Sequence, residues 1–280
     1  MILKDAIIVA SKKLNINNIK SFNLDSEILM AKVIQRDRKH LILNLNKKLS
    51  QSSLDRYKNL IEQRSKGVPI AYLTKKKEFW KYQFKISRDV LIPRPDTEII
   101  IENVIKFSKN RNKLKILDVG IGSGCILLSI LKEKKNFTGI GIDISKKCIK
   151  LSKLNAKNMR ITERVKFFKS DVDNFNYGKY DLIISNPPYI NRLKLNNLDK
   201  DIVNFEPKLA LDGGLDGLSE IKKVINKSSQ LIKKNGKFFL EIGFDQKEKV
   251  KKLLNNRGFY INKVLKDYAK NDRCIVSTKL

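Results

Sequence analysis

A chain of 280 residues is long enough for one sizeable core with a smaller module beside it. Its hydrophobic content of 41% is ordinary for a soluble protein, and no run approaches the roughly 18 unbroken apolar residues of a membrane span. A formal charge of +30 raises nucleic acid as a partner, but only 12 of the 59 basic residues are Arg, and the 47 Lys lie on nearly every polar face among abundant Asn, a pattern of compositional bias as much as a phosphate track. Cys125, Cys148 and Cys274 are odd in number and widely spaced, which suggests neither a disulfide framework nor a zinc site, so reduced thiols and no metal are expected. His40, the single histidine, leaves no Ser-His-Asp arrangement that does not use it, and it reads as a structural or solvent-edge residue.

The first residues, Met1 to Ala10, resemble a signal peptide only superficially: Asp5 interrupts the apolar run and Lys12 and Lys13 follow it. An amphipathic helix in a cytoplasmic protein is expected instead. Apolar residues three and four apart predict helices over Ile2 to Leu14, Leu24 to Ile34 and Leu54 to Arg64, with Ser50 to Ser53 offering N-caps for the third. Gly67-Val68-Pro69 stops that helix. Residues 1 to 86 hold 19 basic and 7 acidic side chains, or +12, against 40 minus 22, or +18, for the remaining 194, so charge is denser in the amino-terminal part. Phe79 to Ile86 and Val90 to Ile92 alternate or cluster as short strands around Ser87-Arg88-Asp89, and a β-hairpin linker is expected over residues 76 to 93, between a helical domain (1 to 75) and a larger one (94 to 280). Arg94 to Glu98 reads either as the ordered start of a helix, with Pro95 in its first turn, or as a border of an acceptor cleft.

From Lys113 strands and helices alternate, the signature of a doubly wound sheet. Strands are expected near 114 to 119, 138 to 143, 165 to 169, 180 to 185, 236 to 242, 258 to 264 and 273 to 277, the last two as an antiparallel hairpin. The first ends in Asp118-Val119-Gly120-Ile121-Gly122-Ser123-Gly124-Cys125, whose glycines let the backbone approach a ligand closely. Cys125 stands where a dinucleotide fingerprint has its third Gly, and no Gly-Lys-Ser/Thr follows, which argues against NAD and ATP. Asp118 is suited to ordering this loop or meeting a ligand's ammonium group. Asp143 closes the second strand, where a carboxylate takes both hydroxyls of a ribose. Asp171 follows the third, placed to accept from an adenine amino group, with Val172 offering its N–H and an apolar wall. Each Asp alone is equally an N-cap or turn former.

At the end of the fourth strand stands Asn186-Pro187-Pro188-Tyr189. A planar NH2 group is a poor nucleophile because its lone pair is delocalised, the resonance that stiffens the peptide bond. A site that methylates it must accept from both N–H groups, and the Asn186 side-chain oxygen and the Pro187 carbonyl supply two acceptors. Pro187 and Pro188 bring no competing N–H and restrict the backbone, while Tyr189 can lie on the planar group and face a sulfonium. An ordinary Pro-rich turn would need neither the Asn nor the Tyr. Four features on one rim of an α/β sheet point to S-adenosyl-L-methionine, with S-adenosyl-L-homocysteine as product. Glu206-Pro207 and the glycine-rich run after it read as a lid or as a loop before a helix starting near Leu218.

The chain resembles the peptide chain release factor glutamine N5-methyltransferases, the HemK or PrmC family, over nearly its whole length. The resemblance is carried by Asp25 to Leu29, Gly67-x-Pro69-x-x-Tyr72-Leu73, Glu78-Phe79-Trp80, Leu91 to Glu98, the glycine loop, Asn186 to Tyr189, Glu206-Pro207, Ala210 to Gly217, Leu240 to Gly243 and Asp272-Arg273. Lys75, Lys81 and Lys270 depart from it, standing where the family favours Gly, outside the cofactor and acceptor loops. The resemblance implies a small all-helical amino-terminal domain that helps dock a class I release factor, a seven-stranded Rossmann-like S-adenosylmethionine-dependent methyltransferase domain, and the Gln of a Gly-Gly-Gln loop as acceptor. The expected catalytic residues are Asn186, Pro187 and Tyr189. Asp118, Gly120 to Gly124, Asp143, Asp171, Val172 and Asn186 are expected to bind the donor, and Asn186 to Tyr189 with Arg94 and Glu206 the substrate. A monomer needing no stable nucleic acid and no membrane is expected. The rivals are an adenine N6-methyltransferase on DNA or RNA, for which no length remains for a recognition region, a glutamine methyltransferase of a ribosomal protein, and a basic nucleic-acid-binding module without turnover.

Overall fold

Ser50 and Asp37 start two of the amino-terminal helices, their side-chain oxygens accepting from the amides of Ser53 and His40. The computed structural model describes all 280 residues and opens with α1 (Leu3–Ile16), α2 (Phe22–Ile34), α3 (Arg38–Leu43), α4 (Gln51–Ser65) and α5 (Ile70–Thr74). The three expected helices are present; α3 and α5 are too short for apolar periodicity to show. α1, α2 and α4 pack on one another over fully buried Leu14, Leu29, Met30 and Tyr57, each buried apolar side chain being worth roughly 1.5–3 kcal/mol. The Tyr57 hydroxyl donates to the Ser26 carbonyl at 3.0 Å, and Arg64 Nε meets Asp25 Oδ2 at 2.7 Å inside the core. His40 is half-exposed in α3.

The chain divides into two compact units, Met1–Lys76 with Asp199–Phe205, and Lys77–Leu198 with Glu206–Leu280. A hairpin of β1 (Lys76–Phe79) and β2 (Tyr82–Lys85) follows the helices. Its turn lies at Trp80 and Lys81, not around Ser87 to Asp89 as the alternation suggested, and Val90 to Ile92 form no strand. The reason is local. Trp80 takes a left-handed φ of 56°, its amide donates to Glu98 at 2.7 Å and its indole to Glu133 at 3.0 Å, so turn and ring are pinned together. Of the three lysines that depart from the family pattern, Lys75 and Lys270 sit at φ of 59° and 66°, where a glycine carries no steric penalty. Lys81 does not.

The second unit continues through α6 (Glu98–Phe107), β3 (Lys115–Val119), α7 (Cys125–Glu133), β4 (Thr138–Asp143), α8 (Lys146–Asn158), β5 (Val165–Lys169) and β6 (Tyr180–Ser185). After α9 (Lys200–Phe205), which belongs to the first unit, come α10 (Ser219–Leu231), β7 (Ile232–Glu241), α11 (Lys247–Asn255), β8 (Phe259–Lys266) and β9 (Asp272–Lys279). The seven-stranded sheet runs β5-β4-β3-β6-β7-β9-β8; β9 alone runs against the direction of the others and makes the expected hairpin with β8. β3 and β6 are buried along nearly their whole length, as parallel strands covered on both faces must be. This order sets the carboxyl ends of β5, β4, β3 and β6 side by side. No helix is long and apolar enough to cross a membrane.

Candidate active site

The turn after β3 is built on backbone. The amides of Gly120 and Ile121 both donate to the Ile142 carbonyl at 2.9 Å, and Gly120, Gly122 and Gly124 all take positive φ, which lets the loop double back before α7. A Cβ added at Gly120 would meet nothing within 4 Å, so this corner faces open space. Ser123 is buried, and its carbonyl accepts from Asn155 at 2.8 Å.

Three carboxylates line the same rim in different states. Asp118 is 1% exposed, and its oxygens face the Leu127 amide of α7 without a hydrogen bond of good geometry. Burial pushes its carboxyl up to about 7. Asp143 accepts from the Gly122 amide at 3.0 Å on one oxygen and the Ser145 amide at 2.8 Å on the other; each oxygen keeps a second lone pair, and burial raises its pKa. Asp171, less buried, accepts from the Asp173 amide at 2.9 Å in a local turn, while Val172 packs on the sheet's core. A ligand ammonium is the natural partner for the orphaned Asp118 oxygens, and the spare lone pairs of Asp143 fit a diol.

Beside them, Asn186 Nδ2 donates to Thr97 Oγ1 at 3.4 Å. Pro187 is buried and Pro188 half-buried. The Tyr189 ring packs against the sheet's core, and its hydroxyl donates to Glu241 Oε1 at 3.3 Å while accepting from Arg273 Nη1 at the same distance. Burial raises the Tyr189 pKa, so it stays a neutral phenol. The next turn is strapped from behind. Gln246 donates to the Tyr189 carbonyl at 2.9 Å and the Gly217 carbonyl at 3.0 Å, and the Gly213 amide donates to the Ile190 carbonyl at 2.8 Å.

The glycine-rich run is thus a packed strap. A Cβ at Gly213 would lie 2.8 Å from the Tyr189 Cα and 2.8 Å from the Gly217 carbonyl oxygen, both backbone atoms that cannot swing aside. Gly213→Ala is therefore expected to lower stability by about 1–3 kcal/mol, read as the drop in urea midpoint, and to lower activity by shifting Tyr189. Arg94 and Glu206 are drawn together: Arg94 Nη2 meets Glu206 Oε1 at 2.5 Å, and Glu206 Oε2 accepts from the Ile92 amide at 3.1 Å. Glu206, 6% exposed, clips residues 92 to 94 to the segment leading into the strap.

Thr97, Glu241, Arg273 and Gln246 received no role from the sequence. The available signals were that Thr97, Glu241 and Arg273 lie in segments that carry the resemblance, and that Glu241 is a lone carboxylate in the apolar run Phe238-Phe239-Leu240-Glu241-Ile242. Glu241 is 2% exposed, its Oε2 has no partner, and burial raises it to about 7. Asp118 and Glu241 therefore keep protons in the folded chain that ordinary carboxyls, near 3.8 and 4.5, have released. Between those values and about 7 the folded state binds more protons than the unfolded one, so stability falls as pH rises. Urea midpoints measured from pH 4 to 8 are expected to show that decline, and Asp118→Asn to flatten it.

Comparison with known proteins identifies the chain's family. Residues 5–74 match the family described as PrmC N-terminal domain, and residues 96–215 the methyltransferase small domain. A release factor glutamine methyltransferase of Clostridium acetobutylicum is 37% identical over 282 residues, covering 100% of this chain and 99% of the relative. The chain belongs to the release factor glutamine methyltransferase family. Another member, from Buchnera aphidicola subsp. Schizaphis graminum, is 37% identical over 91% of this chain and 92% of its own length. Among solved structures, a methyltransferase from Pyrococcus furiosus superposes with a TM-score of 0.52 at 16% identity, over 70% of this chain and 88% of that one, a likeness of fold.

Proposed function

We propose that this enzyme moves the methyl group of S-adenosyl-L-methionine to the side-chain amide nitrogen (N5) of the glutamine in the Gly-Gly-Gln loop of class I peptide chain release factors. The observation that carries the reading is Asn186, held at the end of β6 beside the glycine loop with its Nδ2 turned to Thr97, which leaves Oδ1 for an acceptor N–H. The donor, when bound, supplies a methyl on a positively charged sulfur. Asp143 and the glycine loop hold it, Asp118 faces its ammonium, and Asp171 and Val172 flank its base. Asn186 Oδ1 and the Pro187 carbonyl accept the two amide hydrogens, and the Tyr189 ring forms the adjoining wall. Arg94 and Glu206 shape the entrance. Holding both reactants in line supplies about 7–11 kcal/mol of the barrier. No base is needed before transfer, because the nitrogen becomes acidic only once methylated.

The test is direct. The protein is incubated with labelled donor and, separately, a recombinant class I release factor, duplex DNA and a ribosomal protein, and the label is located by mass spectrometry. Label on the Gly-Gly-Gln glutamine is expected; label on adenine or on a ribosomal protein alone would replace this reading.

A further inference from the structure

The acceptor loop has a buried support that the mechanism does not itself use. Behind Asn186 lies Thr97, whose hydroxyl reaches the Glu241 carboxylate, and that carboxylate also takes the Tyr189 hydroxyl. Arg273 also donates to the Tyr189 hydroxyl and is held by Asp267 through Nε at 3.2 Å and Nη2 at 2.9 Å. Glu241 thus touches the supports of both ends of Asn186 to Tyr189.

An Asn side chain presents two different faces, and only Oδ1 accepts. Nothing in Asn186 itself selects which face meets the acceptor amide. Thr97 does, provided its own hydrogen is used elsewhere, since its oxygen is then left to accept from Nδ2. An ionised carboxylate only accepts, so Glu241 is the place for that hydrogen. The Thr97 hydroxyl already favours the charged form of Glu241, and Glu241 Oε2 is buried without a partner, open to the donation as the site tightens around substrate.

We propose that Glu241 and Thr97 are positioning residues that fix the rotation of the Asn186 side-chain amide, so that Oδ1 and not Nδ2 faces the acceptor nitrogen. A protonated Glu241 gains an O–H that can itself donate to Thr97, and the Thr97 hydrogen is then no longer committed to the carboxyl. The charged and titratable groups around Glu241 are Tyr189, Arg273, Asp96, Cys125 and Cys274. Arg273 favours the ionised form and Asp96 opposes it.

The proposal rests on the functional reading above, and its test has one arm that does not. In the full-length protein the Asn186 side-chain NH2 signals, assigned by their loss in Asn186→Ala, are followed by NMR. One proton is expected to be shifted downfield in the wild type, to move toward the solvent value in Thr97→Val, and to return in Thr97→Ser. Identical signals in the wild type and Thr97→Val would overturn the proposal whatever the enzyme methylates. In the transfer assay at saturating donor, Thr97→Val is expected to lower kcat at least tenfold with little change in donor KM, and Thr97→Ser to recover most of the loss. The wild-type kcat is expected to rise as pH increases through the neutral range where Glu241 ionises, and Glu241→Gln to remove that rise. Equal losses in Thr97→Val and Thr97→Ser, or an unchanged pH profile in Glu241→Gln, would reduce these residues to packing and overturn the assignment. A wild-type protein that labels no release factor while the NMR pattern holds would instead defeat the functional reading alone.

Discussion

Asn186→Ala is expected to lower methyl transfer by about 10²–10³-fold, the loss seen when one preorganised hydrogen-bonding group is removed from a reacting centre. The Ala variant keeps the Pro187 carbonyl but holds the acceptor amide by one hydrogen only, so the nitrogen is free to pivot away from the donor carbon. Donor affinity should change little, because the glycine loop and Asp143 are built by the β3 and β4 turns and bond to one another, not to Asn186. Single-turnover rates and donor titration by calorimetry separate the two effects. A variant that loses donor affinity as much as rate would show that Asn186 serves the donor; one that keeps its rate would remove it from the reaction.

Arg64→Ala is expected to have the largest effect on stability. Arg64 and Asp25 are buried, with side-chain exposures of 9% and 4%, and lie 2.7 Å apart. Arg64 also donates to the Val68 carbonyl at 3.1 Å and to Asp201 at 3.2 Å, and Asp25 accepts from Ser21 at 2.8 Å. Removing the guanidinium leaves a carboxylate in the helical core with one neutral donor, a change that costs about 3–5 kcal/mol. Hydrogen exchange is the right measurement, because a chain of two units need not unfold in one step: amides of α2 and α4 should lose protection while those of β3 and β6 keep it. Replacing both partners by apolar residues should recover much of the loss, since the cost lies in the unpaired charge.

What could be read from the sequence divides along a physical line. Alternating apolar patterns found the strands because each buried strand must be apolar along its own length, and the β8 and β9 hairpin followed from the lack of a helix between them. The hairpin turn near Trp80 was misplaced because its position is set by Glu98 and Glu133, 18 and 53 residues away, and period-2 alternation carries no information about such partners. The start of β7 at Ile232, ahead of the expected 236, has the same origin: Ile232 pairs with Tyr180 across the sheet.

The candidate site shows the same split. Asp118, the glycine loop, Asp143, Asp171 and Asn186 to Tyr189 could be proposed from sequence because each directly follows a strand, and the carboxyl ends of parallel strands fall on one edge. Local order therefore determined which residues reach that rim. Only the tertiary structure decided what stands behind it. Thr97, Glu241, Arg273 and Gln246 come from a turn before the sheet, from β7, from β9 and from the start of α11, and Glu241 and Arg273 meet Tyr189 because the strand order places β7 and β9 beyond β6. A hydrogen bond between residues 50 to 90 positions apart leaves no trace in the spacing of either partner. The groups facing the ligands are thus written in the chain's local pattern, while those that hold them at a fixed angle are chosen by packing.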